Sequence, residues 1–235
     1  MRPFVVAAVA TLALAGCGGD AAAPEPTPSS PAASPATNEP SPHSTEVPGQ
    51  PFGRAQAGAA YLVVGVAHDD TLNVRNGPGP GYDILTEIPP TGQAVATGRD
   101  TIVDSGLWFE VDVAAVRGWA SSSFLALAGA TADITADVVA DAGGTAPSAA
   151  TLEELGLLVA DLRASTDPPS NVVIVAGPNV GDVGEITVDV VGLGDDAVKG
   201  ERLAVFATPT DSGFTLMSVE MTLLCDRGVD SGLCV

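Results

Sequence analysis

Two histidines, His43 and His68, are the only side chains in the sequence whose ordinary pKa suits proton transfer near neutrality. A serine nucleophile needs such a base beside it. His43 lies among prolines, and His68 is followed by Asp69-Asp70, a composition suited to a turn between strands. No Gly-x-Ser-x-Gly elbow occurs. Zinc would need a cluster of His and Cys ligands, and the sequence has none. Carboxylates are plentiful, with Asp182, Glu185, Asp189, Asp195 and Asp196 close together, but EF-hand spacing is missing and a solvated acidic rim is expected. Gly192-Leu193-Gly194-Asp195-Asp196-Ala197 is half of a dinucleotide fingerprint; Gly200 interrupts any helix after it and Arg202 opens a strand. With 29 acidic residues, chance carboxylate pairs are guaranteed, and nothing selects one pair for glycoside hydrolysis. The expectation is therefore a protein with no catalytic residues, no metal and no cofactor.

The elements that would position a binding site start from residues 71–85. Leu72 and Val74 alternate with Asn73 and Arg75, the period of a half-buried strand. Residues 77–81 then alternate Gly and Pro and must leave the sheet, because proline lacks a donor and fixes φ. Further strands are expected over 61–66, 93–97, 108–113 and 117–120, with a turn at 121–123 before Phe124. In the strand after Leu107, Phe109, Val111 and Val113 share a core face, while Trp108, Glu110 and Asp112 share an outer, acidic one. Short strands and frequent turn residues point to a small β-barrel.

The order Asn73-Val74-Arg75, Gly77-Pro78-Gly79, Gly81-Tyr82, Gly92, Trp108 and Gly118-Trp119 resembles the bacterial SH3-like domain family over residues 60–127. That resemblance implies a barrel over 57–128 that binds cell-wall peptide or glycan, or acts as a protein adaptor. Most of the matching residues specify structure; Arg75, Tyr82, Trp108 and Trp119 are the four that the resemblance makes ligand candidates, with packing across the barrel or onto the neighbouring domain the alternative for both tryptophans. Pro78-Gly79-Pro80 is stiffer than the family's usual loop, and the strand around Trp108 is acidic where a basic one is usual.

Met1-Arg2 precedes an apolar run over 4–16, shorter than the ~20 residues a membrane-spanning helix needs, so a secretory leader is expected. Leu14-Ala15-Gly16-Cys17 resembles the lipobox of bacterial lipoproteins, which implies a diacylglycerol thioether on Cys17 and a lipid-anchored protein outside the cytoplasm. Ordinary cleavage near Ala15 or Gly16 is the alternative. Lipidation of Cys17 would leave Cys225 and Cys234 as the remaining cysteines, either bridged in a short loop or two buried thiols. Residues 18–56 read as a disordered tether, with nine prolines from Pro24 to Pro51 and almost nothing to build a core.

Residues 129–235 read as an α+β domain with a mostly antiparallel sheet. Residues 131–141 are compatible with a short helix or a strand. Thr151 with Glu154 matches a capping box, and Leu152, Leu155, Val159 and Leu162 fall on one face of a helix over 151–165. Pro168-Pro169 stops the chain, and strands follow at 171–176, 184–191, 202–208 and 214–225. The formal charge of −20, with Lys199 the only lysine, argues against nucleic acid, teichoic acid and anionic head groups as partners. Together these features predict a multidomain, non-catalytic envelope lipoprotein that holds or senses peptidoglycan. A surface adaptor for an envelope protein and an enzyme in residues 129–235 are the other readings.

Overall fold

The computed structural model describes residues 47–235. The expected leader, Cys17 and the expected tether as far as residue 46 lie outside those residues. Proline-rich composition had extended the tether to residue 56, but residues 47–55 are fastened to the sheet. Gln50 bridges Ile102, and Thr101 Oγ1 donates to the Pro48 carbonyl at 3.0 Å.

Alternating apolar residues make the first strands. β1 (Ala60–Val63), β2 (Leu72–Arg75), β3 (Ile84–Ile88), β4 (Gln93–Val103), β5 (Gly106–Val113) and β6 (Val116–Ser121) bury one face around Tyr61, Val74, Ile88, Phe109 and Val111. A short 3₁₀ turn over Ser122–Phe124 leads into β7 (Leu125–Asp133). Trp108 lies on the face away from this core, as the alternation predicts. The β4–β5 hairpin closes through Asp104 and Ser105, both at positive φ, the two-residue turn whose twist suits a hairpin.

After β7 come α1 (Thr135–Asp141), β8 (Ser148–Ala149) and α2 (Leu152–Asp161). The capping box of α2 forms as its sequence requires: Glu154 N–H donates to Thr151 Oγ1 at 3.1 Å, and Thr151 N–H to Glu154 Oε2 at 3.2 Å. Residues 131–141 turn out to be both alternatives, the end of a strand followed by a short helix. β9 (Asn171–Val180), β10 (Gly184–Val191), β11 (Val198–Thr210) and β12 (Gly213–Cys225) follow as an antiparallel meander. Leu155 and Val159 of α2 and Val138 of α1 pack on Ile186, Val188 and Val205, a second core on one sheet face. β13 (Val229–Asp230) and β14 (Leu233–Cys234) form a small terminal hairpin. Cys225 and Cys234 lie at disulfide distance, Cα atoms 5.1 Å apart.

The small closed barrel expected over 57–128 is not formed. One open ladder runs β3-β2-β6-β5-β4-β1-β7-β12-β11-β10-β9, with β8 beside β12. The reason is β7. One edge of it takes β1 and the other takes β12, so the strand that might have closed the first sheet continues it into the second. The position 128/129, expected to divide two domains, falls inside this strand. The architecture is mostly antiparallel β with two α-helices. Among the described residues no helix is long and apolar enough to cross a membrane.

Candidate functional site

A cleft of about 450 Å³ opens where the β1–β2 connection meets the outer face of β5 and the edge strand β9. That volume is within the range of small-ligand sites. Its floor and walls include Trp108, Phe124, Arg75, Asn73, Asp70 and Val173. Strand periodicity supplies two of these: Leu72 and Val74 point inward, so Asn73 and Arg75 face out into the cleft. The β1–β2 connection is tied to the far wall by His68 N–H, which donates to the Ile174 carbonyl at 2.9 Å. The turn that His68-Asp69-Asp70 was expected to make is closed by the Asp70 N–H, which donates to the Ala67 carbonyl at 2.9 Å, and Asp70 Oδ1 accepts the Thr71 N–H at 2.7 Å.

Of the four residues the sequence singles out, Arg75 and Trp108 meet in this cleft. Tyr82 does not line it. Its ring lies on the Gly77–Gly79 backbone; a Cβ on Gly77 would come within 2.4 Å of the ring. Tyr82 is 39% exposed and stays near the cleft through its carbonyl, which accepts from Arg75 Nη1 at 2.7 Å. Trp119 is elsewhere and only 5% exposed. The Arg99 guanidinium covers its ring at 5.6 Å, and Val47, Pro51 and Gly53 of the N-terminal segment lie beside it. Trp119 borders a separate, smaller cavity of about 230 Å³. Phe124, 40% exposed in the 3₁₀ turn, is the aromatic that sequence reasoning passed over. Its only signal is a large apolar side chain straight after three serines, where core periodicity has already stopped.

The acidic strand around Trp108 is neutralised by its neighbours. Glu110 accepts from Arg99 Nη1 at 2.6 Å and Thr97 Oγ1 at 2.7 Å, and Asp112 takes Arg117 through two bonds of 2.8 Å. Three other polar clusters are structural. Asp100 accepts backbone N–H groups from Phe52, Gly53, Arg54 and Ala55. Burial pushes its carboxyl up, but those four donors outweigh burial and hold it below the ordinary value. Lys199 is pushed down by burial, with Asp226 pulling it back. Its ammonium is not a free amine: Ser122 O at 2.7 Å, Leu125 O at 2.8 Å and Asp226 at 3.0 Å occupy its donors. Arg54 joins the same Asp226.

The third cluster corrects the sequence. Asp189, read there as part of a solvated acidic rim, is fully buried, 0% exposed. It faces Arg202 across β10 and β11, accepting from Nε at 2.7 Å and Nη2 at 2.9 Å. Its Oδ2 also accepts the Gly65 N–H at 2.9 Å, while Arg202 Nη2 reaches the Val63 carbonyl at 2.6 Å. This pair fastens the β9–β12 sheet to β1. Asp182, Glu185, Asp195 and Asp196 are exposed, as expected. No group of three or more His, Cys, Asp or Glu among the described residues is placed to hold a metal ion.

The cleft's lining supplies binding contacts. The cleft offers two aromatic surfaces, a guanidinium, a carboxylate and an amide, with no nucleophile–base pair among its lining residues. Compared with known protein families, curated proteins and solved structures, the chain matches none of them.

Proposed function

We propose that this protein is a non-catalytic recognition lipoprotein of the bacterial cell envelope, tethered through Cys17, whose SH3-like half binds peptidoglycan. The observation that carries the reading is the cleft in which Trp108 and Phe124 lie beside Arg75 and Asn73. Aromatic faces stack on sugar rings and peptide groups, and a few polar groups fix orientation. The SH3-like assignment draws on the β2 motif, the Gly77–Tyr82 loop and the strand run β3-β2-β6-β5-β4-β1, treated as an open sheet. Binding rests on the cleft and not on barrel closure. The full chain should co-sediment with purified peptidoglycan stripped of its acidic polymers, and Trp108→Ala should weaken that by up to about tenfold, given the ~0.5–1.5 kcal/mol an aromatic stack is worth beyond its buried area. Absence of co-sedimentation would end the reading. Cys17→Ala is expected to release the protein into the medium; a variant still in the membrane fraction would refute the anchor.

A protein-adaptor role is favoured by one feature. Edge strand β3 exposes Ile84 (48%) and Leu85 (46%) beside Tyr82, and its outer edge pairs with no other strand among the described residues. Crosslinking in cells separates the two, because a specific protein partner survives digestion of the wall.

A further inference from the structure

Eight basic residues fall within 47–235, and seven are held by carboxylates. Arg54 and Lys199 share Asp226, Arg99 takes Glu110, and Arg117 takes Asp112. Arg163 takes Glu201, Arg202 takes Asp189, and Arg227 takes Asp196. The eighth is Arg75, which pairs with no carboxylate of the described residues. In a chain with 29 acidic and 9 basic residues, an arginine without an acid is the exception. It stands in the cleft beside Trp108.

Its guanidinium is also held in place. Nη1 is committed to the Tyr82 carbonyl at 2.7 Å, and Tyr82 is itself seated on Gly77. That leaves Nε and Nη2, one edge of the planar fork, with no acceptor among the described residues. Two parallel donors on a fixed plane match the two oxygens of a carboxylate.

We propose that the cleft binds a peptide carboxylate, taken by the Nε–Nη2 edge of Arg75, with the peptide's apolar part against Trp108 and Phe124. This rests on the wall-binding reading and gives it a ligand class. The acidic surface does not forbid an anion there. At physiological ionic strength charges beyond ~8 Å are largely screened, so the charges that count are those lining the cleft, Arg75 and Asp70. Asp70 in the same cleft disfavours a second anionic group and suits an ammonium nearby, which selects a peptide end over a phosphate polymer.

The test uses the full chain and three preparations of purified peptidoglycan: native, with its carboxylates amidated by carbodiimide and methylamine, and glycan strands freed of peptide by an amidase. Native material should bind at least about tenfold more tightly than either other form, the range of a charge-assisted hydrogen-bonded contact. Arg75→Gln should lower binding to native material by about tenfold or more, and by a clearly larger factor than it lowers binding to amidated material. Arg75→Lys, which keeps charge but loses the fork, should fall between them. A thermal melt of each variant checks that it folds; if Arg75→Gln does not, the two altered preparations decide alone. Equal binding of native and amidated peptidoglycan, or equal binding of peptide-free glycan, would overturn the carboxylate proposal while leaving wall binding intact. Failure of all three to bind would remove the wall reading and this inference with it.

Discussion

Replacing Asp189 by alanine is the sharpest way to probe how the molecule holds together. The carboxylate is completely buried and satisfies three donors at once: Nε and Nη2 of Arg202 and the Gly65 N–H. Its loss would leave a guanidinium, itself only 13% exposed, without its counter-charge. Breaking a buried pair from one side costs about 3–5 kcal/mol. At roughly 2–4 °C per kcal/mol for a chain of this size, Tm should fall on the order of 10 °C. Differential scanning calorimetry and urea titration of the purified protein measure it. Asp189→Leu with Arg202→Met should recover about half of the loss, because no charge then remains buried; the orphaned Gly65 N–H still costs ~1–3 kcal/mol. If the single variant lost under about 1 kcal/mol, or the double variant fared no better than the single, the pair would not be the fastening described.

Two further outcomes follow from the same geometry. Asp100 has its carboxyl lowered in the folded state, so its contribution is complete above the unfolded value near 4 and fades as pH falls through the folded value; the acid limb of Tm against pH should be shallower in Asp100→Asn, and an unchanged limb would refute this. Gly77→Ala should displace the Tyr82 ring, costing about 1–3 kcal/mol and loosening Arg75, so peptidoglycan binding should drop with Tm; full stability and full binding in that variant would contradict the packing.

What could be read from sequence was local. Thr151 and Glu154 are three residues apart and their capping box formed as expected, because both partners belong to one turn of backbone. β12 was expected from residue 214 and begins at Gly213. Non-local partners were invisible. Asp189 looked like its exposed neighbours Asp182 and Glu185, since only its pairing with Arg202 across two strands distinguishes it. The segment at 47–55 looked like tether because proline content is compositional, while Asp100, which holds it, is some 45 residues away. β3 went unassigned because Pro89-Pro90 and Thr86-Glu87 hide a short edge strand. The cleft was half legible: Arg75 and Trp108 carry motif signals, whereas Val173 joins them only because β9 borders the first half.

The fastening of residues 47–55 decides how the molecule would respond to tension. A pull arriving at Val47 would first strain the Pro48 carbonyl against Thr101, then the Gln50–Ile102 bridge, then four amides gripping one carboxylate, and next Arg54 against Asp226. Asp226 follows directly after Cys225, which is buried in the first core, so the load would enter that core at two places, through β4 and through the far end of the chain. Tension on residues 47–55 would thus be divided between two strands far apart in sequence instead of falling on one edge of the sheet.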